Sequence, residues 1–246
     1  MSRPGRTASE TFSAVLAFAR SEAVLLFALS IVAGAILAFT GIADEMAEGE
    51  THGVDMAILN ALQPQPGHPV GPAWLSQAAR DITALGSVSI LMMITLAVGG
   101  FLVLRRKLME AGLLTLAAIG GLALSEAMKT VFGRARPPEI YRIVDAYNPS
   151  FPSGHALLSA VVYLTLGAML ARATDLRRER GYIMTAAILV ALLVGATRVY
   201  LGVHWASDVL AGWCLGAAWA TACWLLDRHL RTPGSRAPGH ASGEGS

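Results

Sequence analysis

Charge is what this sequence has least of. Only 15% of its 246 residues are Asp, Glu, Lys or Arg, against about one quarter in a soluble domain. That shortage excludes an ordinary soluble enzyme. The near balance of 19 basic and 17 acidic side chains leaves no electrostatic footprint for nucleic acid. Cysteine is scarcer still. Cys214 and Cys223 lie in one apolar run, about 13 Å apart along a helix axis and on opposite faces. They cannot bridge each other, and no CxxC or Cys/His spacing suited to zinc occurs. They read as packing residues. Disulfide scaffolds, collagen and disorder are excluded together.

What is abundant is apolar sequence: 54% of the residues are hydrophobic. A membrane-spanning helix needs about 20 mostly apolar residues. Six stretches meet that requirement, at about 23–43, 84–104, 111–128, 155–171, 182–199 and 207–226. The expected fold is therefore all-α, a polytopic membrane protein of six spans. The first stretch follows Arg20, but it is longer than a signal-peptide core and lacks a small-x-small cleavage site, so it reads as an uncleaved span. Between spans one and two, residues 44–83 are rich in Asp, Glu, Pro and Gly. Gly53–Leu62 and Pro72–Arg80 are too short to cross and read as interfacial helices, with Pro72 at the first helical position. They are expected to shape lipid access or to cover a site. Residues 1–231 form the expected domain, and the turn-rich tail 232–246 is expected to be disordered and cytoplasmic.

Orientation follows the bases. Thirteen of the 19 Lys and Arg residues fall on the side of the two termini and six on the other. Both termini are thus expected in the cytoplasm. The third–fourth and fifth–sixth connections then share the outer face, in a pattern that suits a bacterial inner membrane.

Those two connections hold the polar residues with chemical purpose. The first runs Lys129-Thr-Val-Phe-Gly-Arg-Ala-Arg136-Pro137 and continues to Pro152-Ser153-Gly154-His155; the second carries Thr197-Arg198, then His204, then Asp208. The set resembles the type 2 phosphatidic acid phosphatase superfamily, membrane lipid phosphatases related to vanadium haloperoxidases. The family pattern is K-x6-RP, PSGH and SR-x5-H-x3-D. Every catalytic position matches, and the one departure is Thr197 for Ser, which keeps the hydroxyl.

The residues also argue for phosphate on their own. Phosphoryl transfer spreads negative charge over equatorial oxygens, and catalysis works by positioning and electrostatics. Lys129, Arg136 and Arg198 supply three cations, two with planar forks suited to phosphate. Taken singly, each would pass for a snorkelling anchor. Ser153 is placed to cap the fourth span, and Gly154 lets the exposed amides approach an anion. His204 and Asp208 are four apart, hence on one face of the sixth span's first turns. A carboxylate on one ring nitrogen frees the other for attack on phosphorus. The resemblance implies the roles: His204 as nucleophile forming a phosphohistidine, Asp208 as its orienter, His155 as general acid. No metal or other cofactor is called for, since three cations take that part. Glu126, Asp81 and Arg142 are expected to be structural, and His52, His68, His229 and His240 to be solvated.

The expected partner is a lipid phosphate substrate held in the bilayer: phosphatidic acid, phosphatidylglycerol phosphate or an undecaprenyl diphosphate type. Two other readings share these residues. A phosphotransferase would pass the same phosphohistidine to an acceptor other than water. A non-catalytic phospholipid-binding protein would hold the phosphate without cleaving it. Neither the oligomeric state nor the lipid is written in the motifs.

Overall fold

The computed structural model describes residues 8–231, with side chains from Glu22 onward. The 232–246 tail, expected to be disordered, lies outside the described residues. Eight helices follow in order: α1 (Ala8–Glu48), α2 (Thr51–Leu62), α3 (Ala73–Ala84), α4 (Val88–Leu104), α5 (Leu108–Phe132), α6 (Gly154–Ala171), α7 (Arg177–Tyr200) and α8 (Ala206–Arg231). No strand forms among the described residues, so the all-α expectation holds. Among the described residues, five helices are long and apolar enough to cross a membrane, or six if α3 and α4 count as one bent span. The expected second span is the exception. Its run breaks at Leu85–Ser87, the two helices meet at 48°, and Ser87 Oγ accepts from Ile90 N to start α4 afresh. Gly86 sits at the break, packed against the bundle: a Cβ there would sit 2.3 Å from Val194 Cγ1 on α7 and 3.3 Å from the His155 ring.

Around α6, half of whose residues are buried, are packed α5, α7 and α8, with α1 on α8 and α4 on α5. The closeness of α6 and α8 is set by two glycines one helical turn apart. A Cβ at Gly212 would meet the Ser153 carbonyl at 2.7 Å, and one at Gly216 the Leu157 carbonyl at 2.6 Å. Small residues on such a seam let backbones touch. Gly133, left-handed at φ 56°, ends α5 and sends its amide back to the Lys129 carbonyl, the usual glycine stop. The chain then loops to α6 over an aromatic cluster. Phe151 lies 5.8 Å from Phe39 of α1 and 4.9 Å from Phe132 of α5, ring centre to ring centre. That cluster pins the segment just before Pro152-Ser153-Gly154-His155.

The short helices α2 and α3 lie where the sequence foretold helices, but Pro72 sits one place earlier than expected, at the N-cap with extended backbone. Cys214 and Cys223 are both free.

Candidate functional site

The C-terminal ends of α5 and α7 meet the N-terminal ends of α6 and α8, and all eight residues singled out in the sequence come together there. Lys129, in the last turn of α5, is buried and bonds Glu126 Oε1 at 2.8 Å. Its Nζ lies against Gly154, where a Cβ would come within 3.3 Å of it. That close approach is the local reason for glycine at the start of α6. Arg136 leaves the α5–α6 connection with three contacts: Nε to the Asn148 carbonyl at 2.6 Å, and one terminal nitrogen to the Val203 carbonyl at 2.7 Å and to His204 Nε2 at 3.0 Å. Burial pulls its guanidinium pKa below the usual value; Asp208 opposes that shift and Arg142 adds to it. Arg198, in the last turn of α7, reaches Thr83 Oγ1 of α3 at 3.2 Å. His155 lies within electrostatic reach of Arg198, His204, Lys129 and Arg136.

His204 departs from expectation. It stands in the turn before α8, not on the helix, and is almost wholly buried at 2% exposure. Gly202, at φ 68°, makes that turn, and a Cβ there would strike the Tyr141 carbonyl at 2.1 Å. The His204 ring faces Asp208 Oδ2 through Nδ1 at 3.4 Å, with Ser150 Oγ at 3.3 Å from the same nitrogen. The carboxylate thus favours a proton on Nδ1, and Arg136 faces the lone pair of Nε2. Burial is the largest influence on the ring and lowers its pKa to about 4. Asp208 acts against it, and Arg136 and Arg198 act with it. At neutral pH the imidazole is uncharged.

Ser153 is a second correction. It occupies the N-cap of α6, but its hydroxyl makes no cap bond; its amide instead donates to the Asp208 carbonyl at 3.0 Å. Among the described residues, Ser153 Oγ, Ser125 Oγ and Arg198 Nε are buried polar atoms with no hydrogen-bond partner. Ser125 lies one turn before Lys129 and would be 3.2 Å from a Cβ on Gly154. Unpaired buried donors are costly, so a cluster of them beside three cations is suited to an anion. Thr197, the departure from the family pattern, spends its hydroxyl on the Val194 carbonyl of its own helix at 2.7 Å.

Sequence reasoning missed three residues. Arg134, two before Arg136, turns the other way and forks between carboxylates: Asp208 Oδ1 at 2.5 Å and Asp55 Oδ2 at 2.8 Å. Its terminal nitrogens also reach Ser207 Oγ and Thr51 Oγ1, at 2.7 and 3.1 Å. Asp55, on α2 and 2% exposed, takes the Ser207 amide at 2.9 Å and hydroxyl at 2.6 Å. Thr83, the third, is the partner of Arg198. The 44–83 segment is therefore built into the site by two helices and is more than a cover. One available signal was Asp55 itself, a lone acid in an apolar stretch, which calls for a buried partner. His52 likewise lies on α2, its ring 5.7 Å from that of Trp205 and edge-on to it. Asp81 is exposed and bonds Gln77, and Arg142 donates to the Pro137 carbonyl.

The family model that matches is that of the PAP2 superfamily, over residues 110–231. Phosphatidylglycerophosphatase B of Bacillus subtilis (strain 168) is 35% identical over 145 residues, 58% of this chain and 70% of the relative. An undecaprenyl-diphosphatase of Sulfolobus acidocaldarius is 33% identical over 109 residues, 42% of this chain and 48% of the relative. Among solved structures, the PAP2 type phosphatidylglycerolphosphate phosphatase from Bacillus subtilis superposes with a TM-score of 0.76 at 27% identity, covering 82% of this chain and 98% of that one. Aquifex aeolicus LpxE shares the fold, with a TM-score of 0.52 at 22% identity over 71% of this chain and 94% of its own.

Proposed function

The chain belongs to the PAP2 superfamily, and from that premise we propose that it hydrolyses the terminal phosphate of a membrane lipid through a phosphohistidine on His204. It is an integral membrane lipid phosphate phosphatase. The observation that carries this reading is the convergence of Lys129, Arg136 and Arg198 with two histidines and unpartnered buried donors at one end of the bundle. The phosphoryl oxygens lie against the three cations, Ser153 Oγ and the first amides of α6. His204 Nε2 attacks phosphorus while Asp208 steadies the positive charge that grows on the ring. His155 gives a proton to the leaving lipid oxygen, and then takes one from the water that attacks the phosphohistidine. Nothing in the scheme passes through a metal.

The excess of bases on the side of the termini supports a site facing outward, at head-group depth, where an amphiphilic substrate keeps its tail in the bilayer. The relatives point to phosphatidylglycerol phosphate first and undecaprenyl diphosphate second. Phosphate release by purified protein in detergent with EDTA, across those two lipids and phosphatidic acid, tests the reading. Release that the chelator leaves untouched is the expected result. Release only when a second lipid or sugar acceptor is added would turn the enzyme into a transferase.

Arg198→Lys separates charge from shape. The ammonium keeps the cation but loses the planar fork, and the loss of one positioned donor to a transition-state oxygen costs roughly a hundredfold. The kcat for phosphate release is expected to fall by about that factor. A wild-type rate would remove Arg198 from the site.

A further inference from the structure

At the end of the bundle away from the two histidines, a cavity of about 1130 Å³ opens between α1, α5, α6, α7 and α8. Its wall is apolar, from Phe27 and Ile31 on α1 to Leu164 on α6 and Ile188 on α7. Along α6 it extends from Ala171 to Ala160, or about 16 Å. That is the hydrocarbon depth of one leaflet, roughly half of the 30 Å core. No residue of the candidate site lines it. Trp213 stands at its inner end, its indole donating to the Ala191 carbonyl at 3.0 Å.

The mouth is different in kind. Lys107, Arg172, Arg180 and Arg231 line this end, with Glu110 and Asp227 as the lining acids. Asp227 holds both Arg172 and Arg231, and Glu110 holds Arg231 at 3.3 Å. Both acids are engaged, so Lys107 and Arg180 are the rim cations that no lining carboxylate neutralises. Arg180 has the exposed Asp175 at 3.8 Å, a long and solvated pair of little energetic weight. Trp224 also lines the mouth, with the Arg228 guanidinium 5.9 Å above its ring, and tryptophan marks interfacial depth. On the α1 side, Val24 and Phe27, which line the cavity, remain exposed.

An apolar slot one leaflet deep, topped by surplus positive charge, fits one ligand chemistry, since basic pockets between spans hold anionic lipid head groups. We infer that an anionic glycerophospholipid from the leaflet at the α6–α7 turn binds here as a structural lipid. An acyl chain fills the cavity, joining α1 to the bundle, and the phosphate lies against Lys107 and Arg180. The inference stands apart from the catalytic assignment, because the two sites occupy opposite ends of the molecule.

Native mass spectrometry of the purified, delipidated full chain tests it, with dioleoyl phosphatidylglycerol and dioleoyl phosphatidylcholine titrated separately. One phosphatidylglycerol per chain is expected to be held roughly thirtyfold more tightly, the effect of two interfacial cations. The double variant Lys107→Gln/Arg180→Gln erases that preference. Ala168→Trp, which fills the cavity without touching a charge, weakens retention of phosphatidylglycerol even if the double variant does not fold. Arg136→Gln, at the other end, leaves it unchanged. Equal retention of the two lipids by wild type overturns the inference. So does tight binding that survives Ala168→Trp, or binding lost in Arg136→Gln, which would put the lipid at the candidate catalytic site.

Discussion

Purified His204→Ala protein is expected to release no phosphate from any lipid phosphate and still to fold. The rate loss should be at least about 10⁴-fold, the scale on which removal of a nucleophile acts. Folding survives for a specific reason. His204 is buried, so its loss is not harmless by virtue of exposure; but the carboxylate it leaves behind keeps Arg134, Ser150 and the Trp205 amide. No charge is orphaned, and a small cavity is the main cost. Activity should also resist acid further than an ordinary histidine would allow. The attacking ring must be neutral, and burial holds its pKa at about 4 in the free protein, so kcat/KM should lose its nucleophile near pH 4 and not near pH 6.5. Stability has the opposite sensitivity. The unfolded chain accepts a proton on this histidine near pH 6.5 and the folded chain refuses it until about pH 4, so folded-state stability declines as pH falls through that interval. An acid limb of kcat/KM near pH 6.5, or a turnover-competent His204→Ala protein, would unseat His204 as nucleophile.

How far the sequence could be read depended on whether the signal was local. The three motif blocks were legible because their residue types and spacings are fixed by the chemistry, and five spans were legible because 18 or more apolar residues have few other uses. The break between α3 and α4 was not. Gly86 sits inside an otherwise apolar run, and the reason for it is Val194 and His155, more than 65 positions further along the chain. Ser153 was legible as a position but not as a bond: its amide is drawn to the Asp208 carbonyl across the α6–α8 seam, and no local rule for helix caps anticipates that. Arg134 and Asp55 were missed for the same kind of reason. A base among bases in a loop looks like an anchor until its partners, from α2 and α8, are seen to be buried carboxylates.

Arg134→Gln is the variant expected to do most damage after the nucleophile itself. In wild type one guanidinium stands between two buried carboxylates, Asp55 and Asp208, and its face lies 5.7 Å from the Trp205 ring. Glutamine leaves those two acids close together with no cation between them. Removal of one partner from a buried pair costs about 3–5 kcal/mol, so the unfolding midpoint in detergent should drop markedly. The chemistry suffers separately. Asp208 without Arg134 keeps Ser150 and the Trp205 amide on Oδ2 but loses the cation on Oδ1 that helps to fix it against His204 Nδ1, and kcat is expected to fall about a hundredfold with little change in KM, because none of these groups touches the lipid. Arg134→Lys keeps the charge but cannot fork to both acids, and should fall between the two. The double variant Asp55→Asn/Arg134→Gln tells the two effects apart. With Asp55 neutral the carboxylate repulsion is gone, so stability should return toward wild type, while kcat stays low because Asp208 still lacks its anchor. Recovery of kcat together with stability would mean that Arg134 acts only by holding the fold. A single Arg134→Gln variant as active as wild type would mean that the network from α2 to the start of α8 contributes nothing to the reaction.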